Sequence, residues 1–277
     1  MLFVPRLAGG QSKASVHPVP PVVANAERRT GPIVIDGKLD DDAWKAATPI
    51  AGFRQLVPNE GAAATYPTEV RFLYDGEALY IGARMAAPGG AAGIRAPLAR
   101  RDQLLDANGN NGSFNSLTTD KLIVVLDPYH NHLDQVLFEV NPAGVRGDSF
   151  DGDDAWDPVW EASTTVDADG WTAEMRIPFS QLRFRAGEAQ EWGLQVWRYA
   201  DARNERDMWA VWGQKDAGGP AFYGHLDGLR IPARPRSLEL LPYAVTKGTF
   251  APVTAGDPFH RTSSGKLSAG ADVKYLL

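Results

Sequence analysis

The sequence predicts an all-β protein, an antiparallel β-sandwich or jelly roll. Short apolar or alternating segments recur at a spacing of about 8–12 residues, and Gly, Pro, Asp and Asn separate them. Few stretches have helical periodicity. The 277 residues are 44% hydrophobic and include eight Trp, so the chain can bury a large core.

Individual strands follow from local patterns. Residues 68–74 and 78–86 alternate apolar and polar side chains around an Asp-Gly-Glu turn, which predicts a hairpin. Residues 120–127 are almost wholly apolar, as in a strand buried on both faces, and a turn separates them from a strand at 134–140. Further strands are predicted at 160–166, 171–178, 192–200, 207–212 and 222–231.

Composition divides the chain into three parts. Residues 1–30 are rich in Pro and lack periodicity, so they predict a linker, a degraded export signal or a disordered tail. Residues 31–232 form the predicted sandwich. Residues 233–277 predict a linker and two strands of alternating polarity, typical either of the start of a membrane β-barrel or of a plain amphipathic hairpin. We expect the chain to be the front portion of a longer protein.

The net charge, the composition and the absence of known catalytic motifs argue against several classes of function. The net charge is −6 and the basic residues are dispersed, so nucleic acid is not an expected partner. The chain has no Cys, which excludes disulfides, thiolate catalysis and zinc-thiolate sites. Neither a nucleophile elbow nor a metalloprotease helix motif occurs, and nothing marks a pair of catalytic carboxylates.

An acidic stretch is the most distinctive segment of the sequence. It contains Asp148, Asp151, Asp153, Asp154 and Asp157. Carboxylate oxygens are what calcium prefers, although the spacing is not that of an EF-hand, since Gly152 directly follows Asp151. Arg146, Arg176 or Arg183 could neutralise these carboxylates equally well. The sequence leaves structural calcium and ion pairing open.

Two histidines suggest a second kind of metal site. His130, His132 and Asp134 alternate in one short segment, so they would share a face if it were extended, as in a transition-metal site. They also flank a predicted hairpin turn, where polar residues are expected anyway. We therefore favour the turn.

Two motifs stand in a characteristic order: residues 35–44 read IDGKLDDDAW, and residues 69–83 form the predicted hairpin. The first is similar to the DG-x-LD-x-x-x-W opening of family 9 carbohydrate-binding modules, and the second resembles that family's V-x-V-L-Y-D-x-x-x-L-Y-I hairpin. Residues 138–144 (FEVNPAG), 156–160 and 170–178 are similar to a subgroup in which the module lies in the periplasm, ahead of an outer-membrane β-barrel of unassigned function. The resemblance covers nearly all of 31–277.

That resemblance implies a β-sandwich that binds glucan chain ends between two Trp rings and contains structural calcium. Trp212 (or Trp209) matches one of the two rings, whereas Leu117 stands at the place of the other. A sugar-contacting Glu and Arg of the family fall at Ile123 and Glu139. We therefore expect this chain to retain one of the two Trp rings that enclose the sugar in the family.

The residues themselves suggest where a sugar could bind. The apolar face of a pyranose packs on an aromatic ring while nearby polar groups bind its hydroxyls. The predicted set is Trp212, Trp209, Trp197, Arg198, Asn204 and Gln214. Trp212 precedes Gly213 and Gln214, so it is predicted to be the exposed ring, although core packing is the alternative for every Trp.

These observations predict a non-catalytic, carbohydrate-binding β-sandwich in the periplasmic part of an outer-membrane protein, with a glycan as ligand and the rest of the barrel as partner. A role in carbohydrate catabolism follows from the resemblance. Two alternatives stay open. One is an O-glycosyl hydrolase or an accessory part of a glycan-degrading system, and the other is a structural or plug domain that binds no sugar.

Overall fold

The computed structural model describes residues 21–102, 119–153, 156–185, 187–231, 237–250 and 263–276. The strands are β1 (Val23–Arg28), β2 (Arg54–Val57), β3 (Thr68–Tyr74), β4 (Ala78–Ala86), β5 (Lys121–Asp127), β6 (Val136–Val140), β7 (Arg146–Phe150), β8 (Glu161–Asp167), β9 (Gly170–Pro178), β10 (Ala189–Ala200), β11 (Glu205–Met208), β12 (Gly224–Arg230), β13 (Ser237–Phe250) and β14 (Ser263–Leu276). Short 3-10 helices occur at Asp42–Ala46, Gly90–Gly93, Phe179–Gln181, Asp201–Arg203 and Pro220–Phe222.

The protein is all-β, as predicted. Over the described ranges, none of the helices has the length and apolar character needed to cross a membrane. The chain divides into two compact units, Met1–Pro232 and Ala233–Leu277.

The first unit is a pair of facing sheets. Its strands follow the hydrogen-bonded order β7-β6-β5-β10-β12-β1-β3-β4-β9-β8, and β11 with β2 extends from β10. The core lies between the sheets, because Phe72 and Ile81 on β3 and β4 share one buried cluster with Val124 and Leu194 on β5 and β10. This arrangement agrees with the predicted β-sandwich.

The predicted hairpin at 68–86 is confirmed. Strands β3 and β4 pair antiparallel from Thr68 opposite Met85 to Tyr74 opposite Leu79. The Asp75 side chain accepts backbone N–H bonds from Glu77 and Ala78, which holds the turn closed.

Strand β1 corrects the sequence analysis in two ways. Its residues lie in the stretch predicted as a linker, yet Ala24 and Ala26 are buried. Its residues 23–25 pair in parallel with β12, and its residues 26–28 pair in parallel with β3. The sandwich is therefore not purely antiparallel. One strand thus belongs to both sheets and joins them.

A second apolar cluster packs around strands of the β5-β10-β11 region. It consists of Leu56, Ile123, Val125, Trp197, Met208, Trp212 and Tyr223, and is called the outer cluster below. Because Ile123 and Val125 alternate along β5 with Val124, the outer cluster lies on the face of the sheet opposite the main core.

The second unit is a long antiparallel hairpin. Its strands β13 and β14 pair from Ser237 opposite Leu276 to Phe250 opposite Ser263, which confirms that the two predicted C-terminal segments are strands. Tyr243, Val245 and Leu267 are exposed. The assignment of these strands to a membrane barrel stays a prediction.

Candidate functional site

The Asn-Pro-Ala-Gly segment in the distinctive stretch has a structural role. It forms the turn between β6 and β7, where the Asn141 side-chain oxygen accepts the backbone N–H groups of Ala143 and Val145, each at 3.0 Å. Gly144 has a φ of 77°, a left-handed conformation that glycine adopts without strain. The Asn141 amide also donates to the Pro97 carbonyl at 2.9 Å. This motif therefore fixes a turn.

The predicted acidic loop is partly wrong, because Asp148 belongs to strand β7 and is fully buried. Its carboxylate accepts bonds from Arg101 Nη2 at 2.7 Å and from Trp160 Nε1 at 2.9 Å. Burial raises the pKa of Asp148, and these two donors oppose that shift. Asp157, in turn, lies 2.8 Å from the same Arg101 nitrogen. An arginine distant in sequence thus neutralises two of the five aspartates.

The described aspartates of this stretch do not gather around one point. Asp148, Asp151, Asp153 and Asp157 do not bring three ligand atoms within 4.8 Å of one another, and Asp154 lies outside the described residues. Asp151 instead begins a turn with a φ of 49°. Calcium therefore stays a prediction, without a preformed cluster among the described aspartates.

The prediction that Trp212 is exposed is wrong. Only 7% of its surface is accessible, because its ring lies in the outer cluster, stacked on Tyr223 at 6.2 Å and edge-on to Trp197 at 5.2 Å. Trp209 is buried in the main core. The chain after Trp212 is a loop, as its Gly-Gln sequence suggests, but the ring itself turns inward. These rings have no free face for a sugar.

Arg198 is also unsuited to a sugar. Its buried guanidinium donates to the carbonyl oxygens of Tyr66, Pro67 and Ala86, and burial lowers its pKa. Asn204 and Gln214 are exposed, and the Gln214 amide donates to the Leu56 carbonyl at 2.6 Å. The predicted sugar set is therefore dispersed over core, outer cluster and surface.

The described positions that the family resemblance assigns to sugar contacts are also buried. Ile123 lies in the outer cluster, and Glu139 is buried beside Lys121 Nζ at 3.0 Å. Leu117 lies outside the described residues.

The opening motif of the resemblance has a structural role too. Glu174 on β9 is buried and accepts three bonds from it: the Trp44 Nε1–H at 2.8 Å and the backbone N–H groups of Asp36 and Gly37 at 3.0 and 2.9 Å. Burial raises the pKa of Glu174. Gly37 has a φ of 87°, and a Cβ there would lie 2.6 Å from the Thr164 carbonyl carbon. This motif locks the first loop onto the sheet.

A cavity of about 110 Å³ lies beside the acidic stretch. Its lining residues are Val136, Phe150, Trp156, Gln181 and Arg183. The Trp156 ring is half-buried, with its centroid 5.9 Å from that of Phe138 and 6.2 Å from that of Phe150. Arg183 is exposed, so the rim of the cavity reaches solvent. Aromatic rings, an amide and a guanidinium are thus brought together.

Two loops position the polar groups of this cavity. Gln181 ends the 3-10 helix Phe179–Gln181, and its Oε1 accepts the Val159 backbone N–H at 3.0 Å. That bond ties the helix to the segment that follows Trp156. Sequence reasoning missed this site, although Trp156 beside the aspartates was a visible signal. Gln181 and Arg183, which line the cavity together with Trp156, lie some 25 residues further along the chain.

The combination of His130, His132 and Asp134, which the sequence analysis set aside in favour of a turn, is not a cluster of metal ligands among the described residues. The Asp134 carboxylate accepts a bond from Asn131 Nδ2 at 2.8 Å, and His132 Nδ1 faces the Pro220 carbonyl at 3.4 Å. His130 and His132 have positive φ values, so the segment is a turn, as favoured from the sequence. The two imidazole rings are in edge contact, with centroids 4.7 Å apart.

Comparison with known proteins reveals similar folds. No protein-family model and no curated protein matches the chain. A family 9 carbohydrate-binding module from Caldicellulosiruptor kristjanssonii, solved with cellotriose, superposes with a TM-score of 0.50 at 17% identity, covering 77% of this chain and 100% of its own. A protein from Bacteroides uniformis described as a "putative carbohydrate-binding protein" superposes with a TM-score of 0.54 at 12% identity, covering 76% and 100%. At these identities the likeness establishes the fold.

Proposed function

We propose that the first unit is a non-catalytic carbohydrate-binding module. The observation that supports this most directly is the cavity at Trp156, where an aromatic ring, the Gln181 amide and the Arg183 guanidinium line one surface. The fold points the same way, since solved proteins of similar fold include a family 9 module in complex with cellotriose.

The chemistry of the cavity suits a sugar ring. The C–H groups on one face of a pyranose pack against an indole, here Trp156, with Phe150 beside it. The Gln181 amide also lines the cavity, with its Oε1 accepting the Val159 N–H and its Nε2 donating to Ser180 Oγ at 3.2 Å. Arg183 forms neither a hydrogen bond nor an ion pair with any described residue, so its guanidinium is the group that we expect to bind hydroxyls. The cavity is smaller than the roughly 300–1,000 Å³ of a drug-sized pocket. That size favours a terminal sugar ring over the middle of a long chain.

The same proposal places the module in a larger context. The period-two alternation of β13 and β14, with Tyr243, Val245 and Leu267 exposed, supports the start of an outer-membrane barrel. The module would then lie in the periplasm and bind glycans that are being taken up or degraded. The family resemblance implies that it also contains a structural calcium ion.

The hydrolase alternative has one attractive feature. The pKa values of Asp120 and Asp207 are raised by burial to about 6 and about 7, in the range of a general acid. However, both residues are at most 2% exposed and their carboxyl groups interact electrostatically with the buried Arg198, so they cannot touch a polysaccharide. They support a structural role, so binding without hydrolysis remains the proposed activity.

The test is calorimetric titration with cello- and xylo-oligosaccharides of two to six units. We expect binding that weakens at least about tenfold in Trp156→Ala and Arg183→Ala. Arg230→Ala, an exposed arginine on β12, is the matched control and should bind as the original chain does. Lack of binding to all of these glycans, or equal binding by the Arg183 and Arg230 variants, would overturn the proposal. Release of reducing ends from the same glycans would support the hydrolase.

A further inference from the structure

Three residues from separate strands and loops converge at one end of the sheet that contains β5, β10 and β12. They are His130 in the turn after β5, Glu191 in β10 and His225 in β12. Each offers a ligand atom, and the three atoms all lie within 4.8 Å of one another. They form the one such group of three His, Cys, Asp or Glu side chains within the described ranges.

Strand pairing brings these side chains together. His225 lies opposite Gly193, and β10 has an irregularity in register between Gln190 and Trp192, at Glu191. Gly193 also lies opposite Asp127, the last residue of β5, and a Cβ on Gly193 would come 2.9 Å from the Asp127 Cβ. The absence of a side chain at Gly193 therefore leaves room where the three strands meet.

The distances are close to those of a coordinated ion. His225 Nδ1 lies 2.8 Å and His130 Nδ1 lies 3.6 Å from the same Glu191 oxygen. Zinc binds imidazole nitrogen and carboxylate oxygen at about 2.0–2.2 Å in a tetrahedron, so neighbouring ligand atoms are about 3.3 Å apart. The two distances lie on either side of that value, and small side-chain rotations would equalise them.

The His130 imidazole makes no hydrogen bond within the described part of the chain. Its Nε2 is buried without a partner, and the 3.6 Å between its Nδ1 and Glu191 exceeds hydrogen-bonding distance. An ion bound between His130 Nδ1 and Glu191 would give this nitrogen the partner that it lacks. The position of Nδ1 beside a carboxylate, yet beyond hydrogen-bonding distance of it, therefore suits a metal ligand.

The turn that carries His130 is held rigidly in an unfavourable conformation. His130 has a φ of 46° and His132 a φ of 61°, values that L-residues rarely adopt. The buried Asp127 carboxylate fixes this turn by accepting the backbone N–H groups of Asn131 at 3.3 Å and His132 at 2.8 Å. Such conformations concentrate at functional sites, where the surrounding structure holds side chains in place.

We propose that His130, Glu191 and His225 bind a divalent transition-metal ion of the zinc class, with water in the remaining position. Two imidazoles and one carboxylate suit zinc or its neighbours better than calcium, which prefers an all-oxygen shell. The Glu191 side chain is 52% exposed, so an ion can reach the site from solvent. The site involves none of the five aspartates considered for calcium.

One contact links the turn that carries His130 to the chain that follows the cavity residue Arg183. Arg185, two residues after Arg183, donates to the His130 carbonyl at 3.3 Å. The metal proposal does not require that the cavity bind sugar.

The test uses the tag-free full chain stripped of metal with a chelator. Calorimetry with zinc chloride should give one site of micromolar or tighter affinity, and zinc should raise the melting temperature. Cobalt(II) should produce the visible absorption of a tetrahedral ion with the same stoichiometry. Calcium chloride at the same concentrations should not compete.

Variants identify the ligands. Glu191→Gln and His225→Gln should each weaken zinc binding by at least about tenfold. Glu188→Gln, which removes an exposed carboxylate nearby, is the matched control and should bind zinc as the original chain does. Circular dichroism of the metal-free variants checks that each is folded. If His225→Gln does not fold, His130→Ala replaces it in the test. An absence of zinc binding, or equal affinity in the Glu191 and Glu188 variants, would overturn the proposal.

Discussion

The Lys121 ammonium lies 3.0 Å from the Glu139 carboxylate on the adjacent strand, and both side chains are almost completely inaccessible to solvent. The Tyr199 ring lies beneath the ammonium at 4.9 Å. This buried ion pair occupies a position at which the family resemblance places a sugar contact. Because both side chains are buried, the pair is closed to ligands.

Lys121→Met should lower the free energy of unfolding by about 3–5 kcal/mol, because it leaves Glu139 as a buried charge without its cation. The double variant Lys121→Met/Glu139→Leu should recover most of that loss, since two apolar side chains can replace the pair. Urea denaturation of the original chain and the variants measures both effects. If the double variant lost as much free energy of unfolding as the two single variants together, this account would be contradicted.

Gly37→Ala should destabilise the domain by at least about 2 kcal/mol, because a Cβ would meet the Thr164 backbone and the backbone has a left-handed φ. Gly31→Ala is the matched control. No atom lies within 4 Å of a Cβ at Gly31, and its stability should be nearly unchanged. Thermal melts of the two variants compare them directly, and equal melting temperatures would refute the steric explanation.

Trp212→Ala should cost about 3–5 kcal/mol, as expected when a large ring is removed from a packed cluster. The same variant, measured well below its melting temperature, should retain its affinity for glycans. Trp156→Ala should show the reverse, with a smaller loss of stability and a large loss of affinity. Paired denaturation and calorimetry on both variants separate the two roles. Loss of affinity in the folded Trp212 variant would restore the original assignment.

The stability of the domain should depend on pH through Asp207. Burial and the neighbouring Glu205 raise the pKa of Asp207 to about 7, although Arg198 opposes the shift. Between pH 4 and 7 the folded state therefore keeps a proton that the unfolded chain has lost. Stability falls as pH rises through this window, by at most about 1.4 kcal/mol per pH unit from this group.

Asp120 acts in the same direction, because its pKa is raised to about 6. Asp167 acts in the opposite direction and at lower pH, since Arg84 holds its pKa at about 2. Asp207→Asn should therefore reduce the fall in stability between pH 5 and pH 8 and leave the Asp120 contribution. Urea midpoints at these two pH values measure the change, and an unaltered slope in the variant would disprove the role of Asp207.

The sequence was informative wherever a pattern was local. Strands β3 and β4 alternate regularly, and β5 is almost wholly apolar, so both predictions succeeded. Strand β1 reads VANAER after a run of prolines, and its few small apolar residues give no strand signal. Its conformation depends on β12 and β3, whose residues lie far away along the chain.

The sequence did not indicate the surroundings of Asp148 and Trp212, because those depend on partners far away in the chain. Nothing near Asp148 in sequence indicates that Arg101 neutralises it, and Trp212 turns inward because Trp197 and Tyr223 provide a surface for its ring. The histidines of the turn after β5 were visible as a hint. The other two residues of the proposed metal site, Glu191 and His225, lie about 60 and 95 residues after His130 in the chain.

Strand β1 has a practical consequence for how the domain can be divided. A version of the chain that begins at residue 31 would lack the strand that pairs with both β12 and β3, and would leave two unpaired sheet edges. Such a fragment should self-associate. A synthetic peptide of residues 21–30 should bind it in trans and restore the monomer by fragment complementation, so the ten residues that look most dispensable could become a removable, reporter-bearing strand.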